Sequence, residues 1–415
     1  MAIQIDGGKK VSGSLVIQGS KNAVLPIMAA SVLGAGTTVI ENCPDIFDVH
    51  AMSDVLRSIG ASVNYRNHTL TICSSHIKKS AIEEKSVGEI RASILLLGSV
   101  LARLGSVSIC YPGGCSIGSR PIDFHLRAFR KMGAQVNEEK ERIDCLAKKR
   151  LTGTTISLPF PSVGATENII LTSVLAEGET VLLGAAMEPE ITELCRFLRK
   201  MGAQITGEGT DTLRVCGVKE LKSVRWGLCA DRIVFLTWAM LTAGCGGEAE
   251  LFMKETIPCA EKQVLEQLGC MIEREGRRIC LSQKHVPRPI RYLKTQPYPG
   301  YPTDGQSLIM PVLCKGNGVS TIEEGIFENR FRMIRQLKKM GANIDYVCNH
   351  ARITGVTKLH GALVQADDLR SGAGLLIGGA MAEGRTTITK EHFINRGYEN
   401  VTGQLQALGI LAEEV

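Results

Sequence analysis

The chain alternates between nearly all-apolar segments and amphipathic ones. Six apolar segments end in a glycine turn that leads into a run rich in Thr, Val or other small strand-forming residues: VLGAGTTVIEN, LARLGSVSICY, LAEGETVLLG, LTAGCGGEAELF, LCKGNGVSTIEE and MAEGRTTITK. A helix that is apolar on all sides is buried, because it has no face that suits water. The β-branched run after the turn favours a short strand. The pattern therefore predicts six buried helices, each leading into a strand.

The amphipathic segments carry a second marker, a helix end followed by glycine and then small and aliphatic residues. Six segments share it: LRSIGASV, FRKMGAQV, FLRKMGAQI, LEQLGCMI, LKKMGANI and LQALGILA. Their glycines, about seventy residues apart, are Gly60, Gly133, Gly202, Gly269, Gly341 and Gly409. Just past a helix, glycine can take the left-handed conformation that ends the helix without a Cβ clash. We therefore predict that each of these glycines ends a helix and that a strand follows.

The two markers together indicate an internal α/β repeat. Each unit contains a buried helix, a short strand, an amphipathic helix and further strands such as SVNYRNHTLTIC. Units of this size are too large for a solenoid, and 415 residues are too many for one ordinary core. We therefore predict an α/β protein with two globular domains of three units each.

Composition excludes several classes of protein. The chain is 44% hydrophobic and 22% charged, its net charge is +6, and no block of like charge resembles a nucleic-acid-binding arm. The N-terminal MAIQIDGGKK lacks the apolar core of a signal peptide, and the most apolar runs, 94–102 and 234–243, are far shorter than the roughly 20 residues that span a bilayer. We expect a cytoplasmic protein that binds neither nucleic acid nor membrane and that acts on an anionic small molecule. The oligomeric state stays open.

The fourteen cysteines do not predict disulfides or a metal centre. They are scattered through apolar segments, as at Cys73, Cys110, Cys216 and Cys280, where a reduced thiol packs like a small hydrophobic group. There is no CxxC pair, and the histidines lack the spacing of metal ligands. We expect reduced thiols, no metal and no cofactor.

Polar residues interrupt the apolar pattern at one place in every unit, the start of the buried helix. They are Lys21 and Asn22 in SKNAVLP, Arg91 in GEIRAS, Ser162 to Thr166 in PSVGATEN, Asp231 in CADRIV, Asp304 in YPTDGQS, and Asp368 with Arg370 in DDLRSGAG. Helix N-termini present free N–H groups and partial positive charge, which suit phosphate and carboxylate groups. The shared position predicts an anion-binding role for this end of the units.

A second polar layer follows the short strands. It contains Cys115, Arg120 and Asp123 in PGGCSIGSRPID, Glu188 in MEPEIT, Arg330 in FENRF and Arg396 in INRGYEN. With the first layer it supplies six cations at equivalent ends of their units: Lys21, Arg91, Arg120, Arg330, Arg370 and Arg396. Each alone can be a capping or surface charge, but together they predict a cleft between the domains that binds a highly anionic ligand.

Two residues offer chemistry that the cations lack. Asp304 at the start of a buried helix can be an N-cap or a general base. Cys115 lies among glycine and serine, with Arg120 nearby, rather than among apolar neighbours. Backbone amides and a cation favour a thiolate, so we expect a reactive thiol at Cys115 rather than a structural one.

These motifs resemble the UDP-N-acetylglucosamine enolpyruvyltransferase family over essentially the whole chain. The resemblance is carried by SKNAVLP, PGGCSIGSRP, PSVGATEN, EPEI, GEGTD, ADRI, YPTD, FENRF, DDLR and INRGYEN. The related enzymes that act on shikimate 3-phosphate share the six-unit fold but lack the cysteine loop and have serine where Asn22 stands. The resemblance implies a two-domain inside-out α/β barrel of six βαβαββ repeats, with the active site in the interdomain cleft. It further implies one domain over 22–228, with the Cys115 loop, and a second formed by 1–21 and 229–415.

The resemblance also implies a reaction and roles for the residues. Enolpyruvate would pass from phosphoenolpyruvate to the 3-hydroxyl of UDP-N-acetylglucosamine, in the first committed step of peptidoglycan synthesis. Asp304 would take the hydroxyl proton, while Cys115, the fosfomycin target, would add to phosphoenolpyruvate or protonate its methylene carbon. Phosphoenolpyruvate would be held by Lys21, Arg91, Arg120, Arg330, Arg370 and Arg396, of which Lys21 and Arg396 would also be catalytic. The UDP-sugar would be held by Asn22, Arg120, Pro121, Ile122, Asp123, Phe124, Ser162, Val163, Gly164, Asp304 and Ile326.

Three departures from the family pattern leave alternatives open. Val234, Phe235 and Leu236 stand where the family has Glu, a small residue and Gly; Phe124 replaces a leucine; and Gly305 replaces a larger residue. A paralogue that uses a different nucleotide sugar, and a regulatory paralogue that binds ligand without turnover, are therefore the competing hypotheses. Retention of Cys115 and Asp304 argues against the second.

Overall fold

The computed structural model describes residues 1–82, 90–111, 113, 118, 121–139 and 141–415. The chain forms two compact units. The terminal unit contains both chain ends and, among the described residues, comprises Met1–Gln18, Gly118 and Ala230–Val415. The middle unit comprises the described residues of 19–113 and 121–229. Each unit has its own hydrophobic core.

Helices and strands alternate along both units. The α-helices of the described residues are α1 (Lys21–Ala30), α2 (Phe47–Ser58), α3 (Leu96–Leu104), α4 (Asp123–Lys131), α5 (Val163–Ser173), α6 (Pro189–Met201), α7 (Arg232–Cys245), α8 (Cys259–Gln267), α9 (Thr303–Leu313), α10 (Ile334–Lys339), α11 (Leu369–Met381) and α12 (Val401–Ala407). Short 3₁₀ helices span Ser31–Leu33, Arg91–Leu95, Arg330–Met333 and Glu391–Phe393.

The strands are short and form small sheets. Those of the described residues are β1 (Ala2–Asp6), β2 (Val11–Val16), β3 (Thr37–Glu41), β4 (Ser62–Arg66), β5 (Thr69–Cys73), β6 (Ser106–Cys110), β7 (Gln135–Glu139), β8 (Arg142–Leu146), β9 (Thr155–Ser157), β10 (Glu179–Leu183), β11 (Gln204–Thr206), β12 (Thr212–Cys216), β13 (Arg225–Gly227), β14 (Gly247–Phe252), β15 (Met271–Glu275), β16 (Arg278–Gln283), β17 (Leu293–Lys294), β18 (Val319–Glu323), β19 (Asn343–Val347), β20 (His350–Thr354), β21 (Leu363–Gln365), β22 (Arg385–Thr389) and β23 (Leu411–Glu414).

The sheets repeat one topology. In β11-β12-β10-β9, the strand before the buried helix α5 pairs in parallel with the strand after it, and an antiparallel hairpin completes the sheet. The order β17-β18-β20-β19 follows the same rule. In three other sheets a strand from a distant part of the chain, β13, β2 or β1, fills a place. Among the described residues, the remaining sheet, β6-β8-β7, has three strands. The predicted α/β fold of repeated βαβαββ units is confirmed.

The six marker glycines all adopt the left-handed conformation, with φ between 80° and 111°. At each one, the glycine N–H donates to the carbonyl three residues before it. The next N–H donates to the carbonyl five residues before itself, and all these bonds are 2.9 to 3.1 Å long. This pair of bonds is the Schellman motif, which satisfies the last carbonyls of a helix. The predicted helix ends are therefore confirmed in all six units.

The all-apolar segments form buried helices, as predicted. Every residue of α11 is buried, and so is every residue of α7 from Ile233 to Gly244. In the terminal unit, α7, α9 and α11 pack against one another, and in the middle unit α3 packs against α1 and α5. Within the described ranges, no helix is both long enough and apolar enough to cross a membrane.

The cysteines only partly follow the expectation of apolar packing. Cys110 is buried, and Cys73 and Cys280 are partly buried, but Cys216 is exposed. The reason is the alternation of β12, which buries Leu213 and Val215 and therefore turns Cys216 outward. The expectation was wrong for that residue, because a cysteine that ends a strand takes whichever face the alternation leaves to it.

The left-handed helix ends lead to a stability prediction. Gly202 has φ of 111°, and a methyl group added there would meet nothing within 4 Å, so Gly202→Ala introduces backbone strain alone. We expect the free energy of unfolding of the middle unit to fall by roughly 1–2 kcal/mol. Calorimetric unfolding of the variant measures the loss.

Gly227→Ala is the matched control, because Gly227 also lies in open space of the same unit but its φ is outside the left-handed region. This change should be neutral or slightly stabilising. Equal losses for the two variants would contradict the assignment of the cost to the left-handed backbone.

Candidate active site

The buried helices of the terminal unit begin with polar side chains. The Asp231 carboxylate accepts from the N–H groups of Ile233 and Val234 at the start of α7, at 2.8 and 3.0 Å. Asp368 accepts from the N–H groups of Arg370 and Ser371 at the start of α11, and the Ser371 hydroxyl completes a capping box. These carboxylates already cap the two helices. At these ends, arginine side chains rather than helix amides are therefore the groups suited to an anion.

The Asp304 carboxylate lies between two arginines. Arg330 Nη2 donates to one oxygen at 2.5 Å, and Arg370 Nε donates to the other at 2.9 Å. The N-cap of α9 is Pro302, and Asp304 is the second residue of the helix. The N-cap interpretation of Asp304 is therefore wrong. The carboxylate keeps 27% of its exposure while both arginine side chains are almost fully buried, so it is the accessible member of the cluster.

Arg370 is held by a second partner as well. Its Nη1 donates to the Tyr398 hydroxyl at 3.2 Å. Burial alone lowers the pKa of Arg370, but the neighbouring charges, Asp304 first among them, raise it above its usual value. Burial also raises the pKa of Tyr398, against the opposing effect of Arg370. Both groups therefore keep their protons, and Arg370 is a permanent cation.

Two further predicted site residues of the terminal unit lie in turns held by side chains. The Ile326 N–H donates to Glu324 Oε1 at 2.9 Å, and the same oxygen accepts from the Thr303 hydroxyl at the start of α9. Arg396 is half-buried and lies two residues before Tyr398. The next carbonyl, that of Gly397, accepts from Gln18 Nε2 at 3.1 Å. The local backbone is therefore fixed at both places.

In the middle unit, the start of α1 carries a buried ion pair. Lys21 Nζ lies 3.0 Å from Asp48 Oδ2, with 15% and 3% of the side chains exposed. The N-cap residue, Ser20, is buried, and its hydroxyl has no hydrogen-bond partner among the described residues. Asn22 follows Lys21 and is half-buried. This end of α1 therefore combines a cation with polar groups suited to an anionic or hydroxylated ligand.

The start of α5 is organised around a neutral histidine. His125 Nδ1 lies 2.8 Å from Asn168 Nδ2, and Asn168 also donates to the Ile94 carbonyl at 2.9 Å. Burial first, and then the nearby charge of Arg91, lower the pKa of His125 to about 4. Because the amide nitrogen donates, Nδ1 accepts and the ring proton lies on Nε2. The network connects α5 to the 3₁₀ turn that begins with Arg91.

The predicted sugar-binding residues of the middle unit lie at two helix starts. Ser162 is the N-cap of α5, and its hydroxyl accepts from the Ala165 N–H at 3.4 Å. Val163 and Gly164 open that helix, and a methyl group on Gly164 would lie 3.5 Å from the His125 ring. Pro121 and Ile122 precede α4, and Asp123 and Phe124 open it.

At the start of α4, two predicted site residues, Asp123 and Phe124, contact the same arginine. Arg127 forms an ion pair with Asp123, and its guanidinium lies 5.3 Å from the centre of the Phe124 ring. Phe124 therefore packs against a neighbour in its own helix and stays half-buried. Asp123 has a partner in the same turn.

Two predicted site residues, Cys115 and Arg120, lie outside the described residues. Over the part of the chain that the structure describes, no group of three or more His, Cys, Asp or Glu side chains could hold a metal ion. The described site residues thus fall into two sets. One set, in the middle unit, contains Lys21, Asn22, Arg91, Pro121 to Phe124 and Ser162 to Gly164, and the other, in the terminal unit, contains Asp304, Ile326, Arg330, Arg370 and Arg396.

Sequence reasoning missed the residues that hold these side chains. Asp48, Tyr398 and His125 contact or adjoin site residues only because distant parts of the chain fold together. A signal existed for Asp48, an acid in the first turn of an amphipathic helix, and for Tyr398, inside the INRGYEN motif. Neither signal shows that Asp48 pairs with Lys21 or that Tyr398 contacts Arg370.

The chain matches known proteins over its whole length. The family model of EPSP synthase (3-phosphoshikimate 1-carboxyvinyltransferase) matches residues 5–405. A relative from Finegoldia magna, named UDP-N-acetylglucosamine 1-carboxyvinyltransferase, is 39% identical and is matched over 98% of its length by 100% of this chain. One of the same name from Wolbachia sp. subsp. Brugia malayi is 41% identical, with 97% of this chain and 96% of the relative covered.

Solved structures show the same fold. The enolpyruvyl transferase NikO from Streptomyces tendae has a TM-score of 0.90 at 24% identity, with 99% of this chain and 98% of that chain covered. EPSP synthase from Acinetobacter baumannii has a TM-score of 0.75 at 19% identity, with 100% and 99% covered. The chain therefore belongs to the EPSP synthase family and, within it, to the family of the UDP-N-acetylglucosamine 1-carboxyvinyltransferases.

Proposed function

We propose that this chain transfers the enolpyruvyl group of phosphoenolpyruvate to the 3-hydroxyl of UDP-N-acetylglucosamine and releases phosphate, as the first committed step of peptidoglycan synthesis. The full-length similarity to relatives that carry the name of this activity is the observation on which the proposal rests. The Asp304 cluster supports it, because a partly exposed carboxylate beside two arginines suits a reaction between a hydroxyl group and an anion.

The reaction is an addition followed by an elimination. Asp304 takes the proton of the sugar 3-hydroxyl, and the resulting oxygen attacks C2 of phosphoenolpyruvate while C3 gains a proton. The tetrahedral intermediate then loses a proton from C3, and the C–O bond to phosphate breaks. One C–O bond forms and one breaks, so no oxidant or reductant is required.

The cations hold the anionic groups throughout this sequence. We assign Lys21, Arg91, Arg120, Arg330, Arg370 and Arg396 to the carboxylate and phosphate of phosphoenolpyruvate. Guanidinium groups suit this task because their planar fork matches two oxygens at once. Fixed positive charge on the departing phosphate stabilises the transition state most when the side chains are already in place. The burial of Arg330 and Arg370 supports such prior positioning.

Cys115 and the sugar-binding residues complete the proposal. Cys115 adds to phosphoenolpyruvate or protonates its C3, and it is the thiol that fosfomycin alkylates. Asn22, Arg120, Pro121 to Phe124, Ser162 to Gly164, Asp304 and Ile326 contact the UDP-sugar. These assignments rest on the motifs of the sequence.

The departures at 234–236 have a packing explanation. Val234, Phe235 and Leu236 are at most 1% exposed inside α7, so they offer no surface to an acceptor. A methyl group on Gly305 would lie 3.0 Å from Leu236 Cδ2 and 2.7 Å from the Tyr301 hydroxyl oxygen. Glycine at position 305 therefore leaves the space that the Tyr301 and Leu236 side chains occupy. Of the three departures, only the half-buried Phe124 therefore still supports the hypothesis of a different acceptor.

Phosphate release is the direct test of the proposal. With phosphoenolpyruvate present, purified protein should release phosphate when UDP-N-acetylglucosamine is added and should not do so when the sugar nucleotide is omitted. A panel of other nucleotide sugars is the comparison. Release with another acceptor alone would favour the altered-acceptor paralogue, and binding of UDP-N-acetylglucosamine without release would favour the regulatory one.

Asp304→Asn tests the assignment of the base. The variant keeps the shape of the side chain but cannot accept the proton, so turnover should fall by about 10²–10⁴-fold. UDP-sugar binding, measured by calorimetry, should stay within about tenfold, because an uncharged amide still offers hydrogen bonds.

Glu261→Gln is the matched control for that variant. It removes the carboxylate from another buried pair of the same unit, with Arg232 Nη1 at 2.7 Å. It should lower the thermal midpoint, as breaking a buried pair does, while leaving turnover largely intact. Asp304→Asn turnover close to that of the control would contradict the role of base.

Gly305→Ala tests the packing explanation. The added methyl group should lower the thermal midpoint, since Tyr301 and Leu236 leave no space for it. Leu236→Ala should also be destabilising, but the double variant should be somewhat more stable than the sum of the two losses predicts, because the contact with Leu236 is removed while that with Tyr301 remains. Gly378→Ala, with its nearest atom at 3.5 Å, should be tolerated as a control. If the losses in thermal midpoint of the two single variants simply add in the double variant, the packing explanation is wrong.

A further inference from the structure

Tyr398 occupies a position where three hydrogen-bonding side chains meet. Its hydroxyl accepts from Arg370 Nη1 at 3.2 Å and lies 2.7 Å from the Thr237 hydroxyl. Thr237 lies on the buried helix α7 and Arg370 on the buried helix α11. Tyr398 is 1% exposed and Thr237 is fully buried, so these contacts are made away from solvent.

The direction of every bond in this group can be deduced. The Thr237 hydroxyl donates its single proton to the Ile233 carbonyl at 2.8 Å, so its oxygen must accept from Tyr398. Tyr398 has then used its own proton, and its oxygen is free to accept from Arg370, which can only donate. The chain of donors therefore runs from Arg370 through Tyr398 and Thr237 to a carbonyl. Each member has one orientation.

The ring and backbone of Tyr398 are fixed independently of its hydroxyl. The ring packs edge-on against Trp238, with 6.3 Å between the ring centres. On one side the Gly397 carbonyl accepts from Gln18 Nε2, and on the other the Glu399 N–H donates to Gln18 Oε1 at 3.0 Å. The position of the Tyr398 oxygen is thus fixed, and Arg370 Nη1 must lie where it can donate to that oxygen.

We propose that Tyr398 is a positioning residue, which with Thr237 holds the Arg370 guanidinium in the orientation that binds the Asp304 carboxylate. The inference rests on the proposed function, in which Asp304 is the base. Arg370 donates through Nε to Asp304 and through Nη1 to Tyr398, so one planar group connects the two. An error in the orientation of that plane displaces the carboxylate from the sugar hydroxyl.

Thr237→Val tests the inference. It removes the acceptor for the Tyr398 proton, which frees the tyrosine hydroxyl to reorient and weakens its hold on Arg370. We expect kcat to fall about tenfold with little change in the KM for UDP-N-acetylglucosamine. Thr237→Ser restores the hydroxyl and should recover most of the loss. Tyr398→Phe should lower kcat at least as far as Thr237→Val.

Thr242→Val is the matched control. Thr242 lies on the same helix, is also fully buried, and also donates to the carbonyl four residues before it, that of Trp238 at 2.9 Å. The change should lower the thermal midpoint about as much as Thr237→Val and leave kcat unchanged. If the two valine variants lose the same activity, Thr237 and Tyr398 have only a structural role and the inference is overturned.

An NMR titration separates this inference from the proposed function. Aspartate carboxyl carbons are labelled, and Asp304→Asn identifies the signal. Among the residues that the structure describes, the charged groups beside this cluster include Arg330 and Arg370 on the carboxylate and Asp231 near Arg370. A displaced Arg370 places less positive charge on the carboxylate, so the signal should titrate at higher pH in Thr237→Val and Tyr398→Phe than in the wild type and Thr242→Val.

The two ideas therefore fail in different ways. Wild-type protein that releases no phosphate with any acceptor overturns the proposed function, and the titration still decides whether Tyr398 positions Arg370. An active wild type whose Asp304 signal is the same in all four proteins overturns the positioning role and leaves the function standing.

Discussion

A helix that is buried along its whole length carries charged side chains more readily at its ends than in its middle, and this constraint bears on where the chemistry lies. In α11 the interior consists of apolar residues and glycines, and the charged residues Asp368 and Arg370 are confined to the cap and first turn. The same is true of Asp304 in α9 and Lys21 in α1. Six repeats of one unit thus bring polar side chains to equivalent places. The anion-binding character of the protein follows from how its core is built.

Buried charges such as these are tolerated only when opposite charges or hydrogen-bonding groups compensate them. Arg370 would destabilise the terminal unit if it stood alone, because removing a guanidinium from water is costly. Asp304 supplies the opposite charge, and Tyr398 accepts a hydrogen bond from a different nitrogen. The Arg330 side chain is equally buried and binds the other carboxylate oxygen. The contacts that compensate the two buried guanidinium groups therefore also fix them in place.

The sequence predicts helix ends and buried segments well, but it does not predict which side chains contact one another. The helix ends at Gly60 and its five equivalents depend on a few adjacent residues, and the burial of α7 follows from its composition alone. The position of Asp304 at a helix start makes it a candidate, but its partner Arg370 lies 66 residues away and is not indicated by any neighbouring residue. Tyr398 and Thr237 are 161 residues apart, so no local pattern connects them. Such partners are set by tertiary packing, which the repeat pattern does not encode.

The arrangement of Asp304 bears on how a base can work in this setting. Two guanidinium groups hold the carboxylate, one on each oxygen, and their charge is opposite to its own. Phosphoenolpyruvate brings a carboxylate and a phosphate, and under the proposed function both compete for these arginines. If these arginines share their positive charge with phosphoenolpyruvate, less of it acts on Asp304, and we expect the carboxylate to be a stronger base when that substrate is bound. Under the proposed function, the same arginines would serve the base and then the anion, which would favour the reaction over deprotonation of the sugar in the absence of phosphoenolpyruvate.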